Sequence, residues 1–465
     1  MKFDILVIGS GPGGYVAAIR AAQLGKQVAI IEKESLGGIC LNWGCIPTKA
    51  LLKSAQVFDY IKHAGEYGIL VKDASPDFNA VVKRSRAVAE GMSKGVQFLM
   101  KKNKVQVLMG TAKILKDKSI EVSSGDGNKE IHQADHIIIA TGARAKQLPN
   151  LPIDGTDVID YRKAMILETI PKRLVVVGGG AIGVEFAYFY RSMGSEVTIV
   201  EFMEQGLVPR EDPDISKELA KSFKKSGINV FANTSVEKIT KSKTGINVLI
   251  KDRKDNKESN IECDVVLSAA GVSANIESLG LEEAGIKTDK GLIQVDNMYR
   301  TNIAGIYAIG DVTPGPALAH VASAEGITCV ESICGHNPPA IDYNNIPGCT
   351  YCSPEIASVG YTEAAAKAAG FEVLIGKFPF SASGKASAAG AKEGFVKLIF
   401  DKKYGEFLGA HMIGMNVTEL IAEVVIARKL ETTGHEIIKS IHPHPTMSEA
   451  IMEAAAAAFG EVIHL

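Results

Sequence analysis

Cysteine is scarce in this 465-residue chain: there are seven, an odd number. Small folds that rely on disulfides use them densely, so a stapled mini-protein is excluded. Sparse thiols suit a reducing compartment, where a true disulfide is more often catalytic than structural, and the lack of a targeting segment reads as a cytoplasmic or already processed chain. An excess of one charge sign is also missing, with 51 Lys and Arg against 53 Asp and Glu. That balance, without a long basic run, argues against nucleic acid or an anionic membrane as partner. No apolar stretch approaches the ~20 residues of a bilayer span. The first β-like run, Phe3-Asp4-Ile5-Leu6-Val7-Ile8, begins too early to leave room for a secretory signal. Tryptophan occurs once, at Trp43. Glycine, by contrast, is in excess: 46 residues, about 10% against the usual ~7%. At roughly 150 residues per domain the length allows about three domains.

Some of that glycine belongs to a device that occurs twice. The first copy reads Asp4-Ile5-Leu6-Val7-Ile8-Gly9-Ser10-Gly11-Pro12-Gly13-Gly14, then a helical pattern to Leu24-Gly25, then Gln27-Val28-Ala29-Ile30-Ile31-Glu32. The second reads Arg173-Leu174-Val175-Val176-Val177-Gly178-Gly179-Gly180-Ala181-Ile182-Gly183, a helix to Met193-Gly194, then Glu196-Val197-Thr198-Ile199-Val200-Glu201. Each terminal glutamate lies 23 residues after its first glycine. A strand before the glycines, a helix after them and an acid about 20 residues on is the context of a dinucleotide site. Gly9 and Gly178 allow the tight turn, Gly11 and Gly180 let backbone N–H groups approach a pyrophosphate, and Gly14 and Gly183 let the helix pack on the strand. The anion is expected at the helix N-terminus, where unpaired N–H groups face it. Glu32 and Glu201 suit ribose hydroxyls and would repel a 2′-phosphate. No Arg follows Glu201 until Arg210, so the second site should take NAD rather than NADP.

Directly after Glu32 comes Gly37-Gly38-Ile39-Cys40-Leu41-Asn42-Trp43-Gly44-Cys45-Ile46-Pro47-Thr48-Lys49, followed by the helical pattern Ala50-Leu51-Leu52. Along a straight helix two such cysteines sit ~8–9 Å apart, beyond the ~7 Å that a disulfide tolerates. Gly37, Gly38 and Gly44 can bend the backbone. A helix start should lower the thiol pKa values. The spacing lacks a second Cys or His pair, so zinc does not fit. A redox pair and two buried apolar cysteines both remain open on spacing alone. Cys349 and Cys352 fall in a strand-like segment ending Ser353-Pro354-Glu355 without a second ligand pair, and no metal is expected. Cys263, Cys329 and Cys334 read as small buried apolar residues.

The run from Gly37 to Lys49 resembles the redox-disulfide segment of the class I flavoprotein disulfide reductases. Three further segments resemble motifs of that family, in the same order: Ile137-Ile138-Ile139-Ala140-Thr141-Gly142, Gly305-Ile306-Tyr307-Ala308-Ile309-Gly310-Asp311, and His444-Pro445-Thr446-Met447-Ser448-Glu449. The resemblance covers nearly the whole chain. It implies an α/β fold with two nested Rossmann-like dinucleotide-binding domains and a C-terminal α+β dimerisation domain. The corresponding boundaries are 1–145 and 276–345 for FAD, 146–275 for NAD, and 346–465 for the interface. It implies FAD at Gly9, Gly11, Gly14, Glu32, Lys49, Thr141, Gly142, Asp311 and Ala319, with Asp311 on the ribityl chain. It implies NAD at Gly178, Gly180, Gly183, Glu185, Glu201 and Gly271. A Cys40–Cys45 redox disulfide follows from it, as does an ion pair of Lys49 with Glu185 beside the flavin. His444 is then the base, oriented by Glu449, serving the disulfide of the partner in a homodimer. His442, between prolines, reads as incidental.

Within the family, Gly183 with Glu201, the run Ala317-Leu318-Ala319-His320 and the segment His442-Pro443-His444-Pro445-Thr446 are similar to the NAD-linked, lipoamide-oxidising members. The partners so implied are lipoyl domains of 2-oxo acid dehydrogenase complexes or the glycine-cleavage carrier protein. Trp43 stands where Val is usual, and Val272-Ser273-Ala274 where Arg-x-Pro is usual. A related reductase with another substrate, or a non-catalytic flavoprotein subunit, are the competing readings. In the last segment, Phe395 to Asp401 and Glu406 to Ile413 read as strands, and 416–429 and 448–459 as helices.

Overall fold

A computed structural model describes residues 2–241 and 245–465. These fall into two compact units. The first comprises Met1–Leu51, Asn79–Lys146 and Gly271–Ile341. Its sheet has Lys2–Ile8 at the centre, flanked in parallel by Val28–Glu32 and Lys129–Ile139. Gln106–Met109 and Ile306–Ala308 extend the parallel part on either side. The N-terminal half of Lys129–Ile139 turns to antiparallel pairing with Ile120–Ser123, which pairs in turn with Thr111–Ile114. Every residue of Val28–Glu32 is buried, as expected of a parallel strand covered on both faces. The crossover helix Pro12–Gln23 begins on a proline, whose missing N–H costs nothing there. Helix Ala319–Ile333 packs against it so closely that a Cβ on Gly326 would lie 2.8 Å from the Gly13 carbonyl oxygen.

The second unit comprises Leu52–Phe78, Gln147–Ala270 and Asp342–Leu465. One sheet is parallel, in the order Ile228–Phe231, Glu196–Val200, Arg173–Val177, Val265–Ser268, Val158–Ile159. An antiparallel ribbon of Thr234–Lys241, Ile246–Asp252 and Glu258–Cys263 follows. The C-terminal sheet is antiparallel, in the order Gly348–Thr350, Glu355–Gly360, Phe407–Gly414, Phe395–Asp401, Val373–Pro379. Strand Phe395–Asp401 matches its sequence expectation. The next begins at Phe407 rather than Glu406, because Glu406 makes an isolated bridge to Thr433. Helices Val417–Lys429 and Glu449–Ala458 complete the layer. The alanines of the latter let it approach so closely that a Cβ on Gly376 would meet the Ala454 carbonyl oxygen at 1.7 Å.

The architecture is therefore two Rossmann-like nucleotide folds and an α+β C-terminal domain. Ser358, His411, Lys397 and Lys377 stand in register across the C-terminal sheet. Lys397 Nζ donates to Asp212 and Asp214 at 3.0 and 3.1 Å, and to Glu363 at 3.0 Å. Cys263 and Cys329 are buried as expected, whereas Cys334 is partly exposed, at the C-terminal end of its helix. Among the described residues no helix is long and apolar enough to cross a membrane.

Candidate active site

The two glycine turns have the same local geometry. Gly9 and Gly178 sit at φ +100° and +110°, and a Cβ there would strike the Ala140 and Ala269 carbonyl oxygens at 2.3 and 2.4 Å. At Gly14 and Gly183 a Cβ would lie 1.9 Å from the carbonyl oxygen of Gly9 and Gly178, so each helix start packs against its own turn. Around Gly11 and Gly180 nothing lies within 4 Å of the missing Cβ, which leaves the approach to each helix N-terminus open. The acids match as well. Glu32 accepts from Ser10 N and Oγ at 3.0 and 2.6 Å and from Glu34 N at 2.8 Å. Glu201 accepts from Gly179 N at 2.5 Å and Met203 N at 2.7 Å. Each buried carboxylate is thus pinned at the lip of its turn and retains lone pairs for hydroxyl donors. This cradle fits a dinucleotide in both units.

Around the first turn the other expected segments converge. Thr141 Oγ1 donates to the Asn275 carbonyl at 2.7 Å, and Asn275 Nδ2 donates back to the Thr141 carbonyl at 3.0 Å. Gly142 accepts from Asn275 N at 2.8 Å, and Gly271 accepts from Lys146 N at 3.0 Å. Val272–Ala274 pairs antiparallel with Ala143–Ala145, so the unusual Val-Ser-Ala run forms a short ribbon. Burial raises the Asp311 carboxyl above its ordinary range. The neighbouring Gly310 N–H donates to buried Glu325 at 2.6 Å. Ala319 is the first residue of the helix carrying Glu325. Asn275 and Glu325 had no assigned role in the sequence; both act by fixing backbone, which leaves no motif.

The cysteines lie on either side of a helix break. Cys40 is in the short helix Gly38–Trp43, Gly44 interrupts it, and Cys45 opens the helix Cys45–Lys62. The bend expected from the glycines is present. Ser10 ties this segment to the first turn, since Gly37 N donates to its carbonyl at 3.0 Å. The Cys40 thiol is held well above its ordinary value, first by its hydrogen bond with Cys45, then by burial, while Lys49 pulls the other way. The expected lowering by a helix start therefore fails for Cys40, because the second sulfur and the loss of solvent outweigh it. The two sulfurs sit within hydrogen-bonding reach of one another, with Lys49 one helical turn beyond Cys45.

In the second unit, His444 Nδ1 lies 2.8 Å from Glu449 Oε1, and Thr446 N donates to Glu449 Oε2 at 2.8 Å. Burial alone would raise the Glu449 carboxyl, but Thr446 and His444 hold it below its ordinary value. The imidazole itself is exposed. Glu185, buried in helix Ala181–Met193, accepts from Tyr351 N at 2.9 Å. His442 is not incidental: its Nε2 lies 2.7 Å from Glu423 Oε1, which raises its pKa against the opposing effect of burial. Its side chain is 7% exposed.

Comparison with known proteins agrees with this geometry. A family model described as pyridine nucleotide-disulphide oxidoreductase matches residues 3–326, and the dimerisation domain of the same description matches 346–455. A dihydrolipoyl dehydrogenase of Rhizobium etli is 49% identical, covering 100% of this chain and 99% of that protein. One of Zymomonas mobilis is 47% identical over 99% of each chain. Among solved structures, LpdA of Mycobacterium tuberculosis superposes with a TM-score of 0.90 at 28% identity, covering 98% of this chain and 99% of the other. The HOCl-induced flavoprotein disulfide reductase RclA of Escherichia coli, as its Cu(II) complex, gives 0.88 at 27% identity over 98% and 99%.

Proposed function

This chain belongs to the pyridine nucleotide-disulphide oxidoreductase family, matched in both its nucleotide-binding and its dimerisation parts, and from that premise we propose that it oxidises dihydrolipoamide to lipoamide and reduces NAD. The observation that carries the reading is the bent pair of facing sulfurs, Cys40 and Cys45, joined through Ser10 to a nucleotide turn. The full-length relatives named dihydrolipoyl dehydrogenase supply the substrate.

FAD would be held in the first unit by Gly9, Gly11, Gly14, Glu32, Lys49, Thr141, Gly142, Asp311 and Ala319. NAD would be held by Gly178, Gly180, Gly183, Glu185, Glu201 and Gly271. The domain assignment that goes with this is 1–145 and 276–345 for FAD, 146–275 for NAD and 346–465 for the dimer interface. When bound, the flavin supplies a two-electron path between the cysteine pair and the nicotinamide. The protein's own work is thiol chemistry. His444 Nε2 takes a proton from a substrate thiol, and Glu449 fixes the ring and balances the imidazolium. The substrate thiolate attacks Cys40, breaking the Cys40–Cys45 bridge and releasing Cys45 as thiolate. The second substrate sulfur then displaces Cys40, closing lipoamide and leaving both cysteines reduced. Two electrons and two protons have left the substrate. Lys49 supports the Cys45 thiolate at its helix start, and its pairing with Glu185 belongs to this proposal. In the homodimer, His444 of one copy serves the cysteine pair of the other. Lipoyl domains of 2-oxo acid complexes or a glycine-cleavage carrier are the macromolecular partners, in the cytoplasm.

An anaerobic dithiol titration of the flavin-loaded protein, followed by absorbance, tests this. A long-wavelength band should grow in after one equivalent and be absent from Cys45→Ser. No band in the wild type, or no turnover with lipoamide where glutathione disulfide is reduced, overturns the reading.

A further inference from the structure

Trp43 stands between the redox cysteines in a place the thiol chemistry leaves unused, and it is held on two sides. Its indole Nε1 donates to Glu34 Oε1 at 3.0 Å. The Arg86 guanidinium lies over its ring, 4.1 Å from the centroid. Arg86 Nη1 also donates to the Asn42 carbonyl at 2.6 Å, at the end of the short helix that carries Cys40. Its neighbour Ser85, fully buried, donates to the Pro47 carbonyl at 2.9 Å on the far side of Cys45. Arg84 Nη1 donates to the Ala50 carbonyl at 2.7 Å. Three consecutive residues of helix Phe78–Lys102 thus grip the cysteine segment, once between the two cysteines and twice beyond Cys45.

A helix of six residues has no stability of its own, and its last carbonyls lack partners within the helix. The Arg86 bond to Asn42 satisfies one of them and places a cation where the helix dipole favours it. Asn42 is itself fixed, its Nδ2 donating to the Leu36 and Gly38 carbonyls at 3.0 and 2.9 Å. The planar guanidinium makes the bond and the stack together, which an ammonium cannot.

We propose that Arg86, acting through Asn42 and Trp43, is a positioning residue that presets the approach of Cys40 to Cys45 and so governs how readily the bridge closes. The inference rests on the reading of that pair as the redox disulfide. Releasing the grip gives the reduced segment more conformations to lose on closure, so the bridge becomes easier to open.

The test is equilibration of the holoenzyme with graded ratios of reduced and oxidised dithiothreitol, alkylation of thiols, and mass analysis of the cysteine peptide. In that exchange one sulfur–sulfur bond breaks in the protein and one forms in the dithiothreitol ring, with two electrons and two protons passing to the protein. Arg86→Ala should shift the equilibrium about tenfold toward the dithiol, about 30 mV in potential. Arg86→Lys should fall between it and the wild type. Emission from Trp43, the one tryptophan, should move to longer wavelength in Arg86→Ala as the ring loses its cover. Trp43→Val, which removes the stack and the Glu34 bond, should shift the equilibrium in the same direction and carries the test if Arg86→Ala does not fold. Wild-type equilibrium in a folded variant overturns the proposal alone. A wild type that forms no bridge at any ratio overturns the underlying reading with it.

Discussion

Glu449 Oε1 holds His444 Nδ1 at 2.8 Å while its other oxygen accepts from Thr446 N, so a helix-opening carboxylate aims an otherwise exposed imidazole. The ring's remaining nitrogen is left for proton transfer. His444→Gln should lower kcat with dihydrolipoamide by ~10²–10⁴, the usual contribution of a positioned base. Glu449→Gln keeps the shape but loses the countercharge, and misorientation of this kind costs about a hundredfold. Steady-state kinetics with flavin content checked at each step decides it. Full activity in Glu449→Gln would remove the dyad from the mechanism.

Gly14 and Gly183 occupy equivalent places, and each variant should fail in its own site. A Cβ 1.9 Å from a carbonyl oxygen forces the helix off its turn. Gly14→Ala should therefore be purified with little or no flavin. Gly183→Ala should keep its yellow colour but bind NAD poorly, with at least a tenfold rise in KM as an order-of-magnitude expectation for a misplaced helix terminus. Flavin loss in Gly183→Ala with retention in Gly14→Ala would reverse the assignment of the two sites.

These turns were legible because their physics is local: glycine, helix start and acid lie within one short stretch of chain, and the geometry they demand is the geometry found. The same holds for strand Phe395–Asp401 and for helices Val417–Lys429 and Glu449–Ala458, whose patterns are periodic. What sequence did not disclose joins distant residues. Glu325 reaching Gly310, Asn275 reaching Thr141, Arg86 reaching Asn42 and Lys397 reaching Asp212 carry no spacing rule. His442 failed as an incidental residue for the same reason, since Glu423 lies 19 residues away, on helix Val417–Lys429. Cys40 illustrates a different limit: its pKa depends on a second sulfur and on burial, and a helix-start argument contains neither.

On the proposed reading, Glu201 sets the choice of nicotinamide cofactor. Its carboxylate is buried and already anchored by Gly179 and Met203 N–H groups, so it cannot swing away from an added phosphate. The ratio of kcat/KM for NAD over NADP should exceed about tenfold, as expected for a ribose-binding acid. Glu201→Ala should shrink that ratio mainly by weakening NAD. A tenfold preference for NADPH in the wild type would contradict the assignment.

The His442–Glu423 contact should make stability depend on pH in the alkaline direction. Glu423 raises the His442 pKa in the folded protein, above the ~6.5 of the unfolded chain. Its contribution is then complete below about pH 6.5 and disappears as pH rises through the raised value. The gap in Tm between wild type and His442→Gln should be widest near pH 6 and should close toward about pH 9. A gap that widens with pH would mean that His442 stabilises by packing alone.

Lys397 should act in the opposite direction. Its ammonium, almost fully buried, faces Asp212, Asp214 and Glu363, with Lys377 on Asp214 and Lys367 on Glu363 from the flanks. Burial alone would raise the Asp212 and Asp214 carboxyls, yet Lys397 brings both below their ordinary values; Glu363 is lowered by Lys367 and Lys397 together. Stability from these carboxylates is present above about pH 4 and is lost as pH falls through the lowered values. Nearby, burial raises the Glu211 carboxyl and lowers the His411 imidazole. Lys397→Met leaves the fully buried Asp212 without its cation, a loss of about 3–5 kcal/mol by analogy with other broken buried pairs. With the cation gone, burial at Asp212 weighs more heavily against its charged form, whereas Lys377 and Lys367 still face Asp214 and Glu363. The deficit relative to wild type should therefore be largest near neutral pH and shrink toward about pH 4, read from urea unfolding at the two pH values. Equal deficits at both would show that Lys397 contributes through the packing of its methylenes rather than through its charge.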